Sequence, residues 1–160
     1  MKSLRSLIHS LRVNTKTPND IALSIKIFPQ YNGKDYLSLP LNYDHRNGQR
    51  TRHILFSNQL YSLYLLTWVP RAETNVHYHP KYGCVFYLLD GCIIEHKYSL
   101  LKTLELYKQP TKIIRQGECS YINNLRGPHK IVNGNWITHS LHLYAPGEIR
   151  ISDHDLRKYL

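Results

Sequence analysis

Apolar side chains change their spacing once along this chain. Near the N-terminus, Leu4, Leu7, Ile8 and Leu11 follow the i, i+3, i+4, i+7 spacing of one helix face, and Ser3 stands where a cap would accept from the first turn. Thr17-Pro18-Asn19-Asp20 predicts a second helix start, with Thr17 as cap, Pro18 in the first turn and an acid three residues after the cap. Ile21, Ile25 and Phe28 would then share a face until Pro29 interrupts. Residues 1–29 therefore read as a short helical section. Gly33, Pro40, Asn47 and Gly48 punctuate residues 30–50 as loops with a short strand or turn between them.

From Arg50 onward the pattern is that of strands. Residues 51–57 and 60–69 predict a hairpin around Ser57-Asn58, and further strands are expected near 75–80, 83–90, 92–100, 101–108, 118–123, 129–133 and 138–145. Runs such as Leu60-Tyr61-Ser62-Leu63-Tyr64-Leu65-Leu66, and 13 tyrosines in all, favour strands over helices. Many short strands at this spacing predict a mainly β fold, a closed barrel or jelly roll, within one domain over 1–160 that shows no internal repeat. The barrel would occupy 50–150.

Composition alters this picture little. A chain of 160 residues can bury a core without staples, and no apolar run approaches the roughly 18 residues that cross a bilayer, so a protein without membrane attachment is expected. Cys84, Cys92 and Cys119 form no CxxC pair and cannot all pair with one another, which predicts a reducing, cytoplasmic setting. The first 17 residues lack acids, as a mitochondrial presequence would, but a docked amphipathic helix accounts for them as well. The formal charge of +10 is scattered and accompanies no zinc-finger or RNA-binding signature, so a solvated basic surface is expected rather than a nucleic-acid partner. No exposed apolar helix face or long edge strand stands out, which predicts a monomer.

Candidate chemistry is concentrated in HYHPKYGCVFYLLDG, from His77 to Gly91. His77 and His79, one residue apart on extended chain, point the same way and can chelate a metal. Four residues separate His79 from Cys84, and six more lead to Gly91 at an expected turn. This spacing resembles the first signature of the cupin superfamily, except that the usual Glu is Cys84. Downstream, a Gly at 117, a loop with a second Gly at 127, then His129 and Asn133 are similar to the second cupin signature. In that signature the His is the third protein ligand. Imidazoles suit Zn, Cu, Fe and Ni, so ligand type alone does not select the metal. A cupin that keeps two histidines but binds no metal is the bland alternative.

Further motifs narrow the resemblance to the cysteine dioxygenases, the non-haem iron enzymes that oxidise the thiol of free L-cysteine to the sulfinate. Their HxHxxxxC pattern is His77, His79 and Cys84. Their SLHLY-x-P motif appears as Ser140-Leu141-His142-Leu143-Tyr144-Ala145-Pro146, and their Arg and Trp upstream of the HxH pair are matched by Arg52 and Trp68. The match covers roughly residues 50–146. The resemblance implies a small cupin barrel with Fe(2+) held by His77, His79 and His129. It implies that Arg52 pairs with the substrate carboxylate, and that Tyr144 is oriented through a relay of Ser140, His142 and Tyr144. It also implies a thioether joining Cys84 to Tyr144, as in animal members. Substrates would be L-cysteine and O2.

Two departures bear on specificity. Where the family often has Tyr two residues before the carboxylate-binding Arg, this chain has Arg50, which adds a charge near the substrate acid. The chain also ends soon after Pro146, without the longer C-terminal portion of animal members. Rival readings are a dioxygenase of another small thiol (3-mercaptopropionate, cysteamine or an N-terminal peptide cysteine) and a non-catalytic basic cupin that serves as a binding module. Arg52 speaks against the other thiols, because an acid-free substrate gives it nothing to pair with and the 3-mercaptopropionate enzymes typically lack Arg there.

Overall fold

The computed structural model describes residues 1–39, 50–100 and 106–147. Pro40, Asn47 and Gly48, and the first part of the strand expected at 101–108, lie outside the described residues. Helix α1 (Leu4–Asn14) starts as the sequence predicts: the Ser6 N–H donates to Ser3 Oγ at 3.2 Å, and Leu4, Leu7 and Leu11 are buried. After it, Asp20 Oδ2 accepts from the Thr17 and Lys16 N–H groups at 2.8 and 3.0 Å, opening a 3-10 turn over Pro18–Leu23. A short helix α2 (Ser24–Ile27) and a further 3-10 turn (Phe28–Gln30) follow.

This tighter winding corrects one expectation. Ile25 is exposed, and Ser24 and Ile27 are buried beside the expected Ile21 and Phe28, because the 3-10 turn over Pro18–Leu23 winds three residues per turn and rotates the face that α2 presents. Pro29 lies in the 3-10 turn that replaces α2 after Ile27, so the α-helix ends at the proline as the sequence predicts.

The rest is mainly strand: β1 (Arg50–Ser57), β2 (Ser62–Trp68), β3 (Gly83–Leu88), β4 (Cys92–Leu100), β5 (Leu106–Lys108), β6 (Lys112–Arg115), β7 (Cys119–Ile122), β8 (His129–Asn133) and β9 (Thr138–Ala145). The β1–β2 hairpin closes through Asn58, whose Oδ1 accepts from the Leu60 and Tyr61 N–H groups, both at 2.9 Å. Residues 75–80, expected as a strand, make only an isolated bridge between His77 and His129. Strand β6 was not anticipated, because Lys112–Arg115 is short and mostly exposed and so lacks an apolar face to read.

Two antiparallel sheets result, one in the order β1-β2-β9-β3-β7 and one in the order β5-β4-β6 with β8 also paired to β4. The β3–β4 turn depends on Gly91, whose φ of +77° favours glycine and where a Cβ would stand 2.2 Å from Thr138 Oγ1.

Strands β2, β3 and β9 are covered on both faces, which explains why their sequences read as nearly continuous apolar runs. Leu63, Leu65, Val85, Tyr87, Leu141 and Leu143 pack against the helical section, including Leu7, Leu11, Ile21 and Phe28. Tyr64, Leu66, Trp68, Phe86 and Leu88 face the other way and meet Ile93, Ile114 and Ile131 of the second sheet. Each fully buried leucine contributes about 1.5–3 kcal/mol, so both layers hold the sheet in place.

A polar clamp adds to this. Asp90 accepts from Tyr36 Oη, in a further 3-10 turn (Asp35–Ser38), at 2.9 Å, from the His139 backbone N–H at 2.6 Å and from His139 Nδ1 at 2.8 Å, tying that turn to the β3–β4 turn and to the start of β9.

Candidate metal centre

Residues from both sheets converge on one small cavity, lined among others by Arg50, Trp68, His77, His79, Cys84, His129, His142 and Tyr144. Strand alternation delivers most of them. In β9, Ser140, His142 and Tyr144 share the face opposite Leu141 and Leu143, and Cys84 stands across from Tyr144 in the β3–β9 register. Arg50 and Arg52 pair with Trp68 and Leu66 across the β1–β2 hairpin.

The histidines arrive by a different route. A bridge between His77 and His129, with each N–H donating to the other's carbonyl at 2.9 Å, pins the HxH segment against the start of β8. Gly127 allows the approach to β8: its φ is +78°, and a Cβ there would stand 2.1 Å from the Tyr98 carbonyl oxygen.

Ligand atoms of His77, His79 and His129 all lie within 4.8 Å of one another, and the Nε2 atoms of His79 and His129 are 2.8 Å apart. Two of the rings are oriented from behind. His77 Nδ1 donates to the Asn75 carbonyl at 2.9 Å and His129 Nδ1 to Glu95 Oε1 at 2.8 Å, which leaves the Nε2 lone pair of each ring for the cavity. Such a set of neutral imidazoles fits a single divalent iron. The three histidines predicted from the sequence are therefore brought together.

Burial sets the charge state of the cavity. It pushes the pKa of His77 down to about 4, helped by the neighbouring His129, and pushes His79 well below the ordinary imidazole range. His142 is also pushed well down, by burial first and then by Arg50 and Arg52. These rings are neutral near pH 7, as metal ligation and hydrogen-bond relay require.

Stability should follow. An unfolded imidazole titrates near 6.5, whereas these folded ones resist protonation until about pH 4 in the case of His77. Below 6.5 the unfolded chain therefore binds protons that the folded one refuses, so stability is full above that pH and is lost as pH falls toward 4. Thermal melting without added metal should show a midpoint level from pH 8 to 7 that declines below roughly 6.5; a midpoint still level at about 4.5 contradicts buried neutral imidazoles.

Around the triad lies a chain of polar groups. Trp68 Nε1 donates to Ser140 Oγ at 2.8 Å, Ser140 Oγ is 2.9 Å from His142 Nε2, and His142 Nδ1 is 3.4 Å from Tyr144 Oη and 3.8 Å from Cys84 Sγ. The Arg52 guanidinium lies over the rings of Tyr64 and Tyr144, at 4.2 and 5.4 Å, and so flanks the cavity through Tyr144. Arg50 lies over Trp68 at 5.4 Å and lines the cavity directly.

Sequence reasoning missed Glu95, which is fully buried and holds His129. Burial would raise its pKa, but hydrogen bonds from His129 and Ser120 and the charge of Lys97 hold it below the usual carboxylate range. A signal was available: Glu95 is two residues from the buried Ile93, so alternation places a carboxylate on the inward face of β4.

The family model for cysteine dioxygenase type I matches residues 17–157. Human cysteine dioxygenase type 1 is 30% identical over 96 residues, covering 56% of this chain and 46% of the human one. The zebrafish (Danio rerio) protein of the same name is 24% identical over 155 residues, covering 91% of this chain and 72% of its own. The chain thus spans about half the length of the mammalian curated relatives it matches.

Among solved structures, the TT1209 protein from Thermus thermophilus superposes with a TM-score of 0.53 at 18% identity, over 72% of this chain and 97% of that one. KdgF from Halomonas sp. does so with 0.51 at 13% identity, over 63% and 82%. Both speak to fold alone. With the histidine cluster, the SLHLY-x-P strand and a family model that spans most of its length, this chain belongs to the cysteine dioxygenase type I family.

Proposed function

We propose that this chain is an iron-dependent dioxygenase that oxidises the thiol of free L-cysteine to cysteine sulfinic acid, acting as a cytoplasmic monomer whose two sheets close into one small cupin barrel. The observation that carries the reading is the cluster of His77, His79 and His129 in a cavity flanked by a guanidinium and a tyrosine. No described helix is long and apolar enough to cross a membrane.

Bound through these imidazoles, iron would supply the oxygen chemistry, and the protein's part is placement. Arg52 offers a planar fork that matches a carboxylate and keeps its charge when partly buried, so it fixes the acid end of the substrate. Trp68 can only donate, which leaves the Ser140 proton for His142 Nε2; His142 Nδ1–H then points at Tyr144, and the Tyr144 hydroxyl proton is directed into the cavity. Cys84 and Tyr144 face each other across β3 and β9, which supports a thioether between them, formed with loss of the thiol hydrogen and one ring hydrogen as oxygen takes up two electrons.

Arg50 favours a second substrate reading. It brings another guanidinium to the cavity on the same strand as Arg52, which suits a thiol with a larger or second acidic group.

Oxygen uptake by the iron-loaded protein, measured side by side with L-cysteine, D-cysteine, cysteamine, 3-mercaptopropionate and mercaptosuccinate, tests these readings. L-cysteine should be consumed fastest. Preference for cysteamine would remove the role given to Arg52, preference for mercaptosuccinate would transfer the assignment to the dicarboxylate, and no uptake with any thiol would leave a binding module. Intact mass after many turnovers should fall by two hydrogens; an unchanged mass removes the thioether.

A further inference from the structure

We propose that Glu95 is a positioning residue for the metal centre, holding the ring and tautomer of His129 so that its Nε2 lone pair is presented to the ion. The inference rests on the reading of the three histidines as metal ligands.

Its side chain is completely buried, where a carboxylate is costly unless it is well paired. An apolar residue beside Ile93 would serve the core at lower cost, yet β4 places a charge there. Every polar neighbour is arranged to keep that charge. His129 Nδ1 lies 2.8 Å from Oε1, Ser120 Oγ donates to Oε2 at 2.6 Å, and Lys97 Nζ stands 3.6 Å from Oε2.

Register explains the geometry. Lys97 lies opposite His129 in the β4–β8 pair, so Glu95, two residues back on the same face, is the diagonal neighbour of the imidazole. Ser120 comes from β7 in the other sheet, so the carboxylate is held from a direction that β4 and β8 do not control.

The chemistry follows from having an anion behind the ring. With Nδ1–H committed to a carboxylate, His129 has one tautomer, a fixed ring plane and a more basic Nε2. His77, by contrast, is oriented by the neutral Asn75 carbonyl. Removing the charge behind His129 should therefore weaken metal binding even where the hydrogen-bond shape is retained. Outer partners of this kind are typically worth 10- to 100-fold in metal affinity.

Because the Glu95–Ser120 contact also braces β4 against β7, the test must separate positioning from bracing. Cobalt(II) and anaerobic iron(II) affinities by competition titration, and melting without added metal, would be compared for the wild type, Glu95→Gln and Ser120→Ala. Glu95→Gln keeps the size and an acceptor; it should bind either metal about 10- to 100-fold more weakly. Its exchangeable His129 N–H resonance in the cobalt-loaded protein should shift and exchange faster with water. Ser120→Ala, which loses the brace but keeps Glu95 on His129, should stay within about threefold of wild type.

The proposal is overturned if Glu95→Gln binds metal as tightly as wild type, or if Ser120→Ala loses as much affinity as Glu95→Gln. In both cases a wild type that binds metal leaves the histidine site standing. A wild type that binds neither metal removes the site and this inference together.

Discussion

Replacing Arg52 with alanine should lower kcat/KM for L-cysteine by roughly 30- to 1000-fold, the equivalent of about 2–4 kcal/mol for truncating one partner of a buried charge pair. The guanidinium lies over Tyr64 and Tyr144, so its loss removes both the fork for the carboxylate and the cation over the Tyr144 ring. Arg52→Lys should fall between, because an ammonium keeps the charge but not the bidentate geometry. Cysteamine has no carboxylate and separates the two losses: its turnover should fall far less than that of L-cysteine. If alanine leaves the L-cysteine value within about threefold, Arg52 does not anchor the acid, whatever the metal does.

The second large effect lies at the metal. His79→Ala should weaken metal binding on the order of 1000-fold, the share expected of one ligand when whole sites reach about 10–16 kcal/mol, and should abolish thiol-dependent oxygen uptake. His79 is buried and its Nε2 is 2.8 Å from that of His129, so truncation removes one of three converging ring nitrogens. Metal removal gives a second readout. An ion that binds only the native state stabilises it by mass action, so a chelator should lower the melting midpoint of the loaded wild type. The same chelator should leave His79→Ala unmoved; a variant that still melts lower with chelator would mean that the remaining ligands suffice.

Much of this site was legible in one dimension because period-two alternation governs it. Ser140, His142 and Tyr144 are spaced so that extended chain aligns them, and β9 does so. His77 and His79 converge as the sequence predicts, but on a segment held by one bridge rather than on a strand. The N-terminal helix was equally readable from Leu4, Leu7 and Leu11 and their serine cap.

Other features depend on partners that a linear pattern does not display. Ile25 fails as a core residue because the 3-10 turn before it, Pro18–Leu23, rotates the face that α2 buries. The segment around His77 is held by a single bridge to His129, a partner 52 residues further along, rather than by a ladder. Glu95 matters only because β8 sets His129 diagonally behind it and β7 supplies Ser120.

Strand β9 has a consequence for how such a protein can change over time. Leu141 and Leu143 serve the helical layer, while Ser140, His142 and Tyr144 serve the cavity. Aliphatic exchanges at the first pair, if they conserve volume, can accumulate without disturbing the reaction. Insertion or deletion of one residue within the strand would instead swap the two sets, sending the relay into the apolar layer and leucines into the cavity. Descendants of this chain can therefore vary β9 by replacement, but not by a change of its length.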